Sequence, residues 1–158
     1  MGGTTGDVEE RIAAHPSTEA AKALKFLIDT NIWIYMASRP EQFGKRTHKL
    51  ISNARNEIWL SPLSILELHQ LEHKGKWQSR FDGRAWVERS MKAVRLIEAP
   101  VTYAIAQEAG TFDLPSGDPI DRLIVATARA MKMPSVTADQ AIIESGCVEV
   151  AGNERGRF

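Results

Sequence analysis

Cysteine is almost missing from this chain. Among 158 residues only Cys147 is present, so no internal disulfide can form, and its neighbours Val148 and Val150 make it read as a small buried hydrophobe. No apolar run approaches the ~20 residues of a membrane-spanning helix. The acid-bearing N-terminus lacks the long apolar stretch and cleavage site of a secretory signal. The expectation is a soluble, cytoplasmic protein with no membrane partner. Net charge is missing too: 20 Lys and Arg balance 20 Asp and Glu, unlike a protein that grips nucleic acid through bulk electrostatics. If acids are pooled in one pocket, however, the remaining surface is slightly basic, and Lys45, Arg46, Lys49, Lys74, Lys76, Arg80, Arg84, Arg122, Arg129 and Lys132 supply a local rim. The rest is of globular proportions, 43 % hydrophobic and 25 % charged, and of a length that fits one domain with a real core.

Residues 1–22 open with Gly2-Gly3-Thr4-Thr5-Gly6 and show no strong periodicity, so they read as a flexible or loosely helical extension. A single domain is expected over 23–152, with 153–158 as a tail. Lys25 to Asp29 reads as a first buried strand, followed by a helix carrying Ile32, Trp33, Tyr35 and Met36. Phe43 to Ala54 predicts a helix and Glu57 to Leu60 a second strand, ended by Ser61-Pro62. Ile65, Leu66, Leu68 and Leu71 have helical spacing up to Gly75, and Val87, Met91 and Val94 extend another helix from Trp86 to Ile97. Tyr103 to Ala109 is a shorter helix, and Pro119 to Met131 a long one, apolar on most sides and so expected to pack centrally. Pro134 to Ala138 is a third strand, Gln140 to Ser145 a short helix, and Val148 to Val150 a last strand. Strands alternating with helices predict an α/β fold: a parallel sheet of four or five strands flanked by helices on both faces.

Four carboxylates, Asp29, Glu67, Asp121 and Asp139, stand where apolar segments meet helix starts. Strand ends of an open parallel sheet share one crevice, so Asp29 and Asp139 should face each other there. Each like-charged pair at roughly 5 Å and an effective dielectric near 20 repels by about 3 kcal/mol, a cost that a divalent cation would remove. Every acid also has a plain explanation. Ser64-Ile65-Leu66-Glu67 matches a capping box. Asp118-Pro119-Ile120-Asp121 suits a helix N-terminus, with Asp at the cap and an acid in the first turn. Asp29 and Asp139 can each be turn residues closing a strand. Their joint occurrence is what favours a metal site.

The strings Phe26-Leu27-Ile28-Asp29-Thr30-Asn31, Ser61-Pro62-Leu63-Ser64-Ile65-Leu66-Glu67-Leu68, Asp118-Pro119-Ile120-Asp121-Arg122-Leu123-Ile124-Val125-Ala126 and Val136-Thr137-Ala138-Asp139 together resemble the PIN domain, in particular its VapC-type toxins of bacterial toxin–antitoxin pairs. The resemblance spans Lys25 to Val150. It implies a Mg²⁺-dependent endoribonuclease, with Mn²⁺ as a substitute, in which Asp29, Glu67, Asp121 and Asp139 form the catalytic metal site. Asp118 is either a further ligand or a helix cap. Thr30 and Thr137 either orient a carboxylate or cap a turn. Arg122 either meets a substrate phosphate, for which its planar guanidinium is suited, or pairs with Asp118 or Glu67. Glu67 either ligates or acts as general base. The implied partners are an RNA substrate, a cognate antitoxin and a second copy of the chain in a homodimer. Trp77, between Lys76 and Arg80, is the aromatic residue best placed to stack on a base. The N-terminal extension departs from the small toxins of this kind.

This chemistry suits the residue types. Phosphodiester hydrolysis needs an activated water and charge balance at the phosphate, and a hard cation such as Mg²⁺ asks for a few carboxylates, not His or Cys. Other readings are weaker. His69-Gln70-Leu71-Glu72-His73 spells an inverted zincin motif, yet no third ligand for a zinc hydrolase is evident. Gly117-Asp118-Pro119-Ile120-Asp121 with Asp29 is similar to haloacid-dehalogenase-like phosphatases, but their second acid would be Asn31 here. A non-catalytic PIN-like binding module would have no need to keep four mutually repelling acids.

Overall fold

The computed structural model describes residues 22–152; the expected extension and tail lie outside the described residues, apart from Lys22. Strand β1 (Lys25–Ile28) is the short apolar run before Asp29. It is central because both of its edges are paired, in parallel, with β2 (Glu57–Leu60) and β4 (Ser135–Val136). β2 pairs in parallel with β3 (Leu96–Glu98), and the sheet order is β3-β2-β1-β4. Parallel neighbours need long crossovers. These are filled by α1 (Thr30–Ser38), a 3₁₀ turn at Pro40–Gln42 and α2 (Lys45–Ser52), then by α3 (Pro62–His73) and α4 (Gly83–Ala93), then by α5 (Tyr103–Glu108) and α6 (Pro119–Ala130), with α7 (Gln140–Ser145) after β4. The fold is a single α/β domain with a four-stranded parallel sheet between helical layers.

Alternation along β1 divides the core. Phe26 and Ile28 pack with Trp33, Trp86, Leu68 and Val136 on one face, while Leu27 packs with Ile120, Ile124 and Ala128 on the other. All three β1 side chains are fully buried, and each contributes about 1.5–3 kcal/mol by leaving water. Burial on both faces is why β1 reads as a continuous apolar run without alternation. As expected from its composition, α6 is central, with Ile124, Val125, Ala126, Thr127 and Ala128 all buried.

Four local expectations are corrected. The helix expected from Trp86 to Ile97 ends at Ala93, and Leu96-Ile97-Glu98 is β3. Helical spacing ran on through Val94, but pairing of Ile58, Trp59 and Leu60 with these residues satisfies their backbone as an edge strand. The strand expected at Pro134 to Ala138 is reduced to Ser135–Val136, and the last strand to a single parallel bridge between Ser135 and Val150. Finally, Ser64 is not a cap. Helix α3 begins at Pro62, with Ser61 as N-cap accepting from the Leu63 N–H. Ser64 is therefore inside the helix and fully buried, and its hydroxyl has no hydrogen-bond partner among the described residues. Gly75, just past α3, takes the left-handed conformation expected of a helix-terminating glycine, at φ 66°.

Candidate metal centre

The acids converge at the C-terminal ends of the adjacent strands β1 and β4, where α1 and α7 begin. Asp29 follows β1 directly and is the N-cap of α1, accepting from the Ile32 N–H at 2.9 Å. Its other oxygen accepts from the hydroxyl of Thr137, just beyond β4. Asp139 caps α7, accepting from the Ala141 and Ile142 N–H groups, while its own N–H donates to the Thr137 hydroxyl at 3.0 Å. One threonine thus ties together the two strand ends and their acids.

The other acids arrive on helices. Glu67 lies on α3, one turn beyond Ser64, and accepts from the Thr30 hydroxyl. Asp118 is the N-cap of α6, accepting from the Ile120 N–H at 2.9 Å. Asp121, in the first turn of α6, accepts from the Ser116 hydroxyl at 2.8 Å. A carboxylate oxygen from each of Glu67, Asp118 and Asp121 lies within 4.8 Å of the others, the grouping of three potential ligands found among the described residues. Asp29 and Asp139 stand outside this tightest group but within its field. Asp139 raises the pKa of Asp29, Glu67 and Asp121 alike, and Asp29 also feels Glu67.

Protonation reports the crowding. Burial pushes the Asp29 carboxyl up to about 6, and the charges of Glu67 and Asp139 add to it, against the lowering effect of the Thr137 and Ile32 hydrogen bonds. Burial likewise raises Glu67, helped by Asp121, Asp118 and Asp139. Asp121 is raised by burial and then by Asp118 and Asp139. Acids held in a partly dry site against their own repulsion are hard oxygen donors for which a divalent cation is the fitting counter-charge. The donor set contains no sulfur or imidazole, so it suits Mg²⁺ or Mn²⁺ better than zinc.

The placement answers several open choices. Asp118 is both a cap and a member of the closest acid group. Thr30 and Thr137 orient carboxylates, while the caps themselves are Asp29 and Asp139. Arg122 pairs with neither Asp118 nor Glu67. Its Nη1 donates to the carbonyls of Ala109 and Phe112 at 3.0 and 2.8 Å, tying α6 to the segment after α5. His69 lies 3.6 Å from Glu72, and no histidine belongs to the three-acid group. Trp59 donates to Glu57 within β2, whereas Trp77 meets Trp86. Sequence reasoning missed Ser116 as the donor to Asp121, and nothing in its local pattern marks it, since the contact depends on how the preceding loop folds back over α6.

A fold of this kind is found in known proteins. The family model of the PIN domain matches residues 26–145, and this chain belongs to that family. Among curated relatives, Ribonuclease VapC22 of Mycobacterium tuberculosis is 26 % identical over 116 residues, covering 73 % of this chain and 88 % of the relative. Among solved structures, VapBC2 from Rickettsia felis bound to a DNA fragment superposes with a TM-score of 0.60 at 18 % identity, covering 80 % of this chain and 97 % of that one. FitAcB from Neisseria gonorrhoeae superposes with a TM-score of 0.55 at 19 % identity, covering 80 % and 96 %.

Proposed function

We propose that this protein is a divalent-metal-dependent endoribonuclease, the toxin of a toxin–antitoxin pair, which hydrolyses RNA phosphodiester bonds with Mg²⁺ and accepts Mn²⁺. The observation that carries this is the convergence of Asp29, Glu67, Asp118, Asp121 and Asp139 at one end of the sheet, with burial and mutual repulsion raising three of them. The likeness to a protein named as a ribonuclease supports the substrate class.

Glu67, Asp118 and Asp121 would hold the cation, with Asp29 and Asp139 completing the charge around it. When bound, the cation supplies an acidified water and charge balance at the phosphate. The chain does the positioning: Thr30 holds one Glu67 oxygen, Ser116 one Asp121 oxygen and Thr137 one Asp29 oxygen. Glu67, only partly buried, can either ligate or take a proton from the attacking water. A cognate antitoxin, homodimerisation and a cytoplasmic setting belong to the same reading; α2 and α3 are the helices on which an antitoxin is expected to dock. The likeness to VapBC2 and FitAcB supports the antitoxin partner.

The test is incubation of the purified protein, free of antitoxin, with total RNA in Mg²⁺, Mn²⁺, Zn²⁺ or EDTA, beside Asp29→Asn. Discrete cuts in Mg²⁺ or Mn²⁺ that vanish with EDTA and in the variant are expected. Intact RNA in every lane would overturn the nuclease reading in favour of a binding module.

A further inference from the structure

A second feature opens beside the acids. Along α1, Asn31, Ile34, Tyr35 and Ser38 recur at helical spacing and form one wall of a groove of about 430 Å³. The far wall is Leu71 at the end of α3 and the segment Lys76 to Ser79, with Trp86 of α4 at the base. Ile34 and Leu71 lie one helical turn beyond Thr30 and Glu67, whose side chains are hydrogen-bonded at the acid site, so the groove runs from that contact along α1. From Asn31 to Ser38 the helix rises about 10 Å, which matches about three stacked nucleotides at ~3.4 Å per strand step.

Its chemistry differs from that of the whole chain. The protein has no net charge, yet the lining of this groove carries Arg39 and Lys76 and no aspartate or glutamate. Both cations are exposed. Asn31 and Gln78 add neutral amide groups able to hydrogen-bond base edges. Trp77 is only partly buried. It packs against the core and meets Trp86 in a T-shaped arrangement with centroids 5.1 Å apart, while its accessible part lines the groove. Cations for a backbone, an aromatic face and amide groups are what an unpaired strand of nucleic acid needs for sequence-tolerant binding. A protein segment attracted to a cationic groove is the competing occupant, but the opening onto the acid site favours the polymer whose scissile phosphate must reach those acids.

We infer that the groove between α1 and the Lys76–Ser79 segment is a subsite for unpaired RNA bases flanking the cleaved bond, with Trp77 stacking on a base and Arg39 and Lys76 meeting the backbone. It rests on the nuclease reading for its position relative to the scissile phosphate, but binding itself needs no catalysis. RNA held here is single-stranded, because a base inside a duplex has both faces covered by stacking on its neighbours. The groove thus selects loops and tails over duplex, and its variants act on substrate binding and not on the hydrolytic step.

The experiment measures binding of short single-stranded oligoribonucleotides of mixed sequence to the full chain in EDTA, by fluorescence anisotropy, for the wild type, Trp77→Ala, Trp77→Phe, Arg39→Glu and Lys76→Glu. Cleavage in Mg²⁺ by the same proteins gives KM and kcat. Trp77→Ala is expected to weaken binding about tenfold and to raise KM with kcat held, and Trp77→Phe to restore most of the affinity. Arg39→Glu and Lys76→Glu should weaken binding and flatten its salt dependence. Should Trp77→Ala fail to fold, the two charge variants at exposed positions carry the test. Equal binding of the corresponding duplex, or RNA affinity unchanged in every variant, would overturn the subsite and leave the groove as a protein-docking surface. Cleavage with unaltered KM in every variant overturns the subsite alone. Binding through the groove with no cleavage in Mg²⁺ or Mn²⁺ removes the nuclease reading and leaves the subsite standing. No RNA binding by any form overturns both.

Discussion

The hydroxyl of Thr137 donates to Asp29, joining the ends of β4 and β1 across 108 residues of sequence. The same oxygen accepts from the Asp139 N–H. Thr137 is therefore the residue that places two acids of the site with respect to each other, and it does so from a buried position where a lost hydrogen bond cannot be replaced by water.

Thr137→Val keeps the shape and removes the donor. Loss of roughly 1–3 kcal/mol of stability is expected, and Mg²⁺ affinity should fall about 10–100-fold, the usual cost of losing a group that orients a ligand. Urea unfolding in EDTA and a Mg²⁺ titration check the two effects separately.

Asp29 sets a pH dependence with a definite sign. Its folded pKa of about 6 lies above its ordinary 3.8, so between these values the folded chain holds a proton that the unfolded chain has released. Stability contributed by this group is full below about pH 4 and is lost as pH rises through about 6, by about 3 kcal/mol. Glu67 and Asp121, raised in the same direction, act with it. The difference between the wild type and Asp29→Asn in EDTA should grow over that range, with the variant relatively more stable at neutral pH. A difference that stays flat with pH would sink the assignment.

Metal removal has a matching signature. In EDTA, Asp121→Asn should be as stable as the wild type or more so, since it removes one repelling charge from beside Asp118 and Asp139. With Mg²⁺ at a hundred times its Kd the wild type should gain about 2.7 kcal/mol, and the variant should gain far less. A variant that melts much lower in EDTA would make Asp121 a structural residue.

The two serines at the start of α3 separate cap from core. Ser61→Ala removes the N-cap acceptor of Leu63 and should cost about 1 kcal/mol. Ser64→Ala removes a buried hydroxyl without a partner and should be neutral or stabilising. Equal losses, measured by denaturant unfolding, would restore Ser64 as the cap.

Much of the architecture was legible because it is local. Phe26-Leu27-Ile28 is apolar on both faces and flanked by polar residues, so a buried strand could be read directly. Asp118-Pro119 marked the start of α6 because a cap acid and a first-turn proline act within one turn. β3 was not legible: three residues carry no period, and Leu96-Ile97-Glu98 is a strand only because β2 offers its free edge. Ser64 misled for a related reason. Its spacing to Glu67 fits a capping box, but Ser61-Pro62 starts the helix earlier, and Glu67 is claimed by Thr30 from another element.

By itself the sequence determined which residue types could do chemistry and roughly where each would sit, since strand ends and helix starts follow from short-range periodicity and capping. Only the tertiary structure decided the grouping. Glu67 lies near Asp118 and Asp121 because α3 and α6 pack together, and the raised pKa values of Asp29, Glu67 and Asp121 exist only once burial takes these three from water. It also turned Arg122 toward the carbonyls of Ala109 and Phe112, and it brought Trp77 beside α1. Such contacts join residues far apart along the chain, and no local pattern encodes a distance that only packing sets.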